Sequence, residues 1–171
     1  MSDKQKEATS SIVEQLVQSG IKLVASLPDD WIAPLIDAVD KDDRFKHVPV
    51  NREESAIGLC SGAFMSGVGS FALMGASGFL TCIYALTKIN YTYQIPLLIG
   101  ITLRGRPGDN AKFHQSNGLY LEPVIAAIDL PFIPIEREDD IPSLVTGYRH
   151  SRVMSRPVVV GFTRELLKGD A

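Results

Sequence analysis

The segment HVPVNREESAIGLCSGAFMSG, residues 47–67, places two carboxylates, Glu53 and Glu54, between a short apolar run and a helix made largely of small side chains. A carboxyl group at the mouth of an apolar segment can do proton chemistry, because water-poor surroundings strengthen each hydrogen bond it makes. One of the two is explicable as helix punctuation. Asn51 at the N-cap would accept from the Glu54 amide while the Glu54 carboxylate reaches back to the Asn51 N–H, and both acids gain from the helix dipole. Glu53 is not needed by that cap, and it leaves the end of a buried strand. Downstream, Gly58, Gly62 and Ser66 fall on one helical face at i, i+4 and i+8. Such a face admits either another backbone, within or between subunits, or a flat ring.

The elements that must position these residues alternate along the chain. Helical spacing is predicted over residues 8–19, 29–40, 54–66, 79–89, 119–128 and 141–154, and apolar strand-like runs over 21–28, 45–50, 70–75, 95–103, 132–136 and 156–163. The strands are continuous apolar runs rather than alternating ones, the pattern of a strand covered on both faces. The fold class is therefore α/β: a three-layer α/β/α arrangement around a mostly parallel, six-stranded sheet. The chain reads as one domain over residues 1–171, with residues 1–9 a flexible N-terminus. In such sheets ligands bind beyond the carboxyl ends of the strands. That directs attention to LPDDW, NREES, GASGFLT and TLRGRPGDNAKFHQSNG, the most polar or glycine-rich parts of the chain.

Composition narrows the function classes. A net charge of -3, with 45% hydrophobic and 22% charged residues, leaves no basic footprint for nucleic acid. Cys60 and Cys82 lack metal-ligand or CxxC spacing and read as buried, reduced thiols. The polar start MSDKQKEATSS carries no secretory signal, so a cytoplasmic location is expected. Residues 55–87 hold no charge, but six glycines interrupt them, which suits a buried helix, strand and tight loop in succession rather than a membrane span.

ASLPDDWIAPLIDAV, the 47–67 segment, SGFL and YQIPLLIGITLRG, in that order, resemble the pyrimidine-binding domain of thiamin diphosphate-dependent 2-oxo acid decarboxylases, the sulfopyruvate and phosphonopyruvate decarboxylases in particular. The resemblance covers roughly residues 10–165. It implies the pyrimidine-domain fold, thiamin diphosphate as cofactor, and decarboxylation of sulfopyruvate to sulfoacetaldehyde and CO2. The alternatives are phosphonopyruvate or another 2-oxo acid as substrate, or a non-catalytic binding module that has kept only the fold. In the family the activating glutamate precedes a small residue by five positions and a glycine by nine, a spacing that Glu53 satisfies with Gly58 and Gly62 and that Glu54 does not. The resemblance makes Glu53 the acid that hydrogen-bonds the aminopyrimidine ring and favours its imino tautomer.

Further roles are implied residue by residue. Gly58, Ser77 and Gly78 contact the cofactor, and Asp30 and His114 are catalytic and substrate-facing. Arg104 is the guanidinium that pairs with a sulfonate or phosphonate, with Arg106 as its neighbour. Asp30 has an alternative role as N-cap of the Trp31 helix, and His114, Arg104 and Arg106 as solvated loop residues. Where the family often has Gln-Asn-Ser-Gly-Leu-Gly-Asn, this chain has Gly75-Ala76-Ser77-Gly78-Phe79-Leu80-Thr81, so the flanking amides are absent. The Gly-Asp-Gly motif that holds Mg2+ and diphosphate is absent too, since Gly108-Asp109-Asn110 and Gly169-Asp170 do not supply it. No metal ligand is therefore expected in this chain. The resemblance implies a diphosphate-binding beta subunit that holds Mg2+ and shares the thiamin diphosphate, together with self-association.

Overall fold

A computed structural model describes residues 3–169. Six strands form one parallel sheet in the order β2-β1-β3-β4-β6-β5: β1 (Ile21–Ser26), β2 (Lys46–Pro49), β3 (Gly69–Met74), β4 (Leu97–Thr102), β5 (Phe132–Ile135) and β6 (Pro157–Phe162). The central strands β3, β4 and β6 are buried almost throughout, as the continuous apolar runs require. In register, Ala72 faces Ile99 and Gly100 faces Val160. Gly100 has no room for a side chain, because a Cβ there would lie 2.4 Å from the Phe71 ring.

Helices cover both faces. On one side α1 (Asp3–Gln18), α2 (Ala33–Asp40), α7 (Ser143–Met154) and α8 (Arg164–Lys168) bury Ile12, Leu16, Leu35, Leu144 and Leu167 against the sheet. On the other, α3 (Glu53–Met65), α4 (Ala76–Thr81), α5 (Ile83–Ala85) and α6 (Gln115–Ala127) bury Ile57, Cys60, Phe79, Cys82, Leu121 and Ile125. The uncharged stretch thus becomes α3, β3 and the helices after it, stacked within one three-layer domain. Among the described residues no helix is long and apolar enough to cross a membrane.

Several element boundaries differ from the sequence expectation. The first helix extends back to Asp3, burying Gln5 and Ala8, so residues 3–9 are helical and not a flexible segment; residues 1–2 lie outside the described residues. The helix expected at Phe79 starts at Ala76 as α4 and runs through α5 into a π-helical turn, Leu86–Asn90, whose Asn90 side chain donates to Ser61 Oγ and the Ile95 carbonyl. The helix expected at Leu119 starts at Gln115, because Gly118 packs onto the Gly105 backbone so closely that a Cβ would lie 2.0 Å from the Gly105 carbonyl oxygen.

Candidate active site

The carboxyl ends of β1, β2, β3 and β4 meet around the tight turn into α4, Gly75–Gly78, made of its N-cap and first three residues. Three of its residues each touch a different polar side chain. Gly75 lies against Asp29, with a hypothetical Cβ 2.5 Å from Asp29 Oδ2; Ser77 donates to Asn117 Oδ1 at 3.1 Å; and Gly78 lies under the Glu53 carboxylate. The turn itself is pinned by the Ala76 amide, which donates to buried Thr102 Oγ1 at 3.0 Å. Glycine at 75 and 78 follows from these contacts, because the neighbouring carboxylates occupy the space of a side chain.

Glu53 opens α3 directly after β2, half-buried, with its carboxylate seated on Gly78. The cap that surrounds it differs from the one expected. Arg52, in an extended conformation, is the N-cap and its side chain makes no capping bond; both glutamates lie in the first turn. The Asn51–Glu54 capping box does not form, because the helix starts one residue too late for Asn51 to reach it. Glu54 takes its own amide instead, with Arg52 Nη2 at 3.5 Å, and these interactions hold its carboxyl below the usual carboxylate range despite some burial. The negative field is felt further on. Burial, reinforced by the Glu54 and Glu53 charges, pushes the Cys82 thiol up to about 12, and Cys60 rises to about 12 through burial; both are free, inert thiols.

The outward face of α3 carries Ser55, Gly58, Gly62 and Met65, all exposed. A Cβ at Gly58 or Gly62 would meet nothing within 4 Å, so the small-residue face is not explained by packing inside this chain. On the same side of the sheet, Tyr84 (74% exposed), Leu119 (67%) and Tyr120 (59%) extend an apolar surface. Gly58→Ala should accordingly stabilise the isolated chain by about 0.5–1 kcal/mol through helix propensity. Thermal melts of the chain alone would read this, and weaker assembly with a partner would show that the face is used.

A second group of polar residues, partly buried, joins the segments that follow β1 and β4. Arg104, just beyond β4, places Nη2 2.7 Å from the Asp29 carboxylate and donates Nη1 to His114 Nε2. Its guanidinium lies 5.0 Å from the Trp31 ring centroid, and its Nε is buried without an acceptor. His114 is itself buried, with Trp31 and Phe113 edge-on at 5.6 and 4.3 Å and its Nδ1 2.8 Å from Asp109 Oδ2. A cleft of about 260 Å3, lined by Trp31, Asp109, His114 and Arg164 among others, opens onto this group.

Asp30 does not join them. Asp29 accepts the Trp31 amide at 2.9 Å, and this tight turn carries the next side chain outward, where Asp30 is 74% exposed and pairs with Lys168 at 2.8 Å. It does not cap the following helix either, since α2 begins at Ala33 with Ile32 as N-cap. Lys168 holds the Asp30 carboxyl below the usual range, a weak and solvent-screened effect. Asp30→Asn should therefore change the unfolding free energy by no more than about 0.5 kcal/mol in a urea titration. Arg106 also lies outside the cluster, bridging Glu122 (2.8 Å) on α6 and Glu136 after β5.

Three polar partners escaped the sequence reading: Asp29, Asp109 and Asn117. Asp109 follows Pro-Gly and accepts the Gly105 and Ala111 amides at 2.9 and 3.1 Å, a loop-closing role that the turn residues Pro107-Gly108-Asp109-Asn110 do advertise. Asn117 is buried, with its Nδ2 unpartnered beside Ser77. Among the described residues no group of His, Cys, Asp or Glu is arranged to hold a metal ion.

Comparison with known proteins agrees with this geometry. Residues 6–116 match the thiamine pyrophosphate enzyme family, N-terminal TPP binding domain. The sulfopyruvate decarboxylase subunit alpha of Methanococcus maripaludis is 27% identical over 90% of this chain and 92% of its own length. A sulfopyruvate decarboxylase of Methanosarcina acetivorans is 29% identical over 85% of this chain but only 37% of its own, and a phosphonopyruvate decarboxylase of Streptomyces viridochromogenes is 30% identical over 58% and 25%. A 2-oxoglutarate:ferredoxin oxidoreductase from Magnetococcus marinus superposes with a TM-score of 0.70 over 94% of this chain and 29% of that one, at 15% identity, a likeness of fold alone. With the match spanning β1 to the loop that ends at His114, Glu53 and the Gly75–Gly78 turn included, the chain belongs to the thiamine pyrophosphate enzyme family, as its N-terminal, TPP-binding domain.

Proposed function

We propose that this chain is the alpha subunit of a thiamin diphosphate-dependent decarboxylase that converts sulfopyruvate to sulfoacetaldehyde and CO2. The observation that carries the reading is the Glu53 carboxylate, seated on the Gly78 backbone at the head of a helix whose glycine face is open. The residues fit the pyrimidine half of the cofactor: a half-buried acid, seated on Gly78 next to Ser77, to hydrogen-bond a ring nitrogen, and Gly58 further along the same helix beside open space that a ring could enter. Bound thiamin diphosphate supplies the nucleophilic carbon and the electron sink of the reaction. Glu53 holds a proton toward the ring nitrogen. Asp29, Arg104, His114 and Trp31 form a partly buried polar wall at the neighbouring strand ends, where the carboxylate and sulfonate of a 2-oxo acid would be bound.

The diphosphate and Mg2+ are held by a second polypeptide, a beta subunit, in this reading. The Methanococcus relative is named a subunit alpha, and the Methanosarcina relative carries more than half of its length beyond the matched region. The exposed side of α3, α5 and α6, with Met65, Tyr84 and Tyr120, is the surface offered to that chain or to a second copy of this one. Co-expression with a candidate beta chain, followed by CO2 release measured over a panel of 2-oxo acids, tests the proposal. Turnover is expected with sulfopyruvate above phosphonopyruvate and pyruvate. A complex that binds thiamin diphosphate yet releases CO2 from none of them overturns it.

A further inference from the structure

The partly buried polar group fixes a proton position. A guanidinium has donors only, so the contact of Arg104 Nη1 with His114 Nε2 requires the lone pair to be on Nε2. The ring proton then sits on Nδ1 and is donated to Asp109, 2.8 Å away. Asp109 is held in turn by the Gly105 and Ala111 amides, and Gly105, at φ +74°, packs against the His114 carbonyl, so that the two ends of the 104–114 loop are in contact. Burial opposes the Asp109 charge, but these amides and the imidazole hold its carboxyl below the usual range, so it is an acceptor at neutral pH. At the far end Asp29 takes Nη2. The charged groups around the ring are Arg104 and Asp109 from its own loop, Asp29 behind Arg104, and Arg164 across the cleft.

We propose that Asp109 is a positioning residue of the site: it holds His114 in the Nδ1–H tautomer, which makes Nε2 the acceptor that fixes the Arg104 guanidinium between His114 and Asp29, where its charge faces the anionic groups of the substrate. Loss of the Asp109 acceptor frees the proton to move to Nε2, where it opposes Arg104 Nη1 and turns the guanidinium away. The tautomer stands on the geometry alone; the effect on substrate rests on the decarboxylase reading above.

The test has two arms. In the full chain, 15N spectra of the imidazoles, with His114 identified through His114→Gln, should show a protonated Nδ1 and an unprotonated Nε2; in Asp109→Ala a population with protonated Nε2 should appear. In the assembled enzyme Asp109→Ala should raise KM for the 2-oxo acid about tenfold with kcat within about threefold, the size expected when one charge-assisted hydrogen bond is misdirected. Thiamin diphosphate affinity should be unchanged, and in a His114→Gln background Asp109→Ala should add no further rise in KM. Asp109→Asn, which keeps one acceptor oxygen, should restore KM most of the way. A parent chain with Nε2–H or a charged His114 overturns the proposal whether or not Asp109→Ala folds. A shifted tautomer with unchanged KM overturns the positioning role and leaves the decarboxylase standing. An assembly that turns over no 2-oxo acid removes the decarboxylase reading, and the spectra still decide the tautomer.

Discussion

Glu53→Gln is expected to lower kcat of the assembled decarboxylase about a hundred- to thousandfold, the range associated with losing a positioned acid or a preorganised hydrogen bond. Glutamine preserves the length and shape of the side chain, so the contact with Gly78 and the start of α3 survive. It retains a donor for a ring nitrogen but cannot exchange a proton with it. The loss should appear in kcat with little change in the affinity for thiamin diphosphate, which separates it from a binding defect. Circular dichroism and thermal melts of the isolated chain should match the parent, because the side chain is only half-buried. Turnover within a few-fold of the parent would show that Glu53 is not the activating acid.

The placement of Glu53 at the strand ends was legible in the sequence, although the capping scheme that set Glu54 aside is not the one the helix uses. What survives is the placement: the first of the two acids faces the Gly75–Gly78 turn and the second is held by its own amide and Arg52. The central strands β3, β4 and β6 were legible because burial on both faces leaves long apolar runs with no polar side to confuse them. The starts of α4 and α6 were not. Gly75-Ala76-Ser77-Gly78 and Gln115-Ser116-Asn117-Gly118 have loop composition, and they are helical because of tertiary contacts: the Ala76 amide on Thr102, and Gly118 on the Gly105 backbone. Asp29 and Asp30 are adjacent and chemically identical, so only the direction of one tight turn decides which faces Arg104. The same holds for His114, whose partners Asp109 and Arg104 precede it by five and ten residues in a loop that shows no periodicity.

The small residues of the site serve two opposite purposes, and one substitution exposes the difference. Gly58 is small beside open space, whereas Gly78 is small because Glu53 fills the volume: a Cβ at Gly78 would lie 1.9, 2.3 and 2.5 Å from Glu53 Oε1, Cδ and Cγ. Gly78→Ala meets no backbone among these nearest atoms, and the residue lies within α4, where alanine is conformationally favoured. The flexible end of Glu53 gives way first, so the chain should fold with a melting temperature close to that of the parent. The displaced carboxyl should nonetheless cost the assembled enzyme about a hundredfold in kcat, because a hydrogen bond misplaced by an ångström has lost most of its catalytic value. The decisive measurement is the double variant. Since both changes act through the same carboxyl, Gly78→Ala combined with Glu53→Gln should be hardly slower than Glu53→Gln alone. If the two losses multiply instead, Gly78 acts on the site independently of Glu53, and the turn would be contributing its own contact to the ring rather than seating the acid.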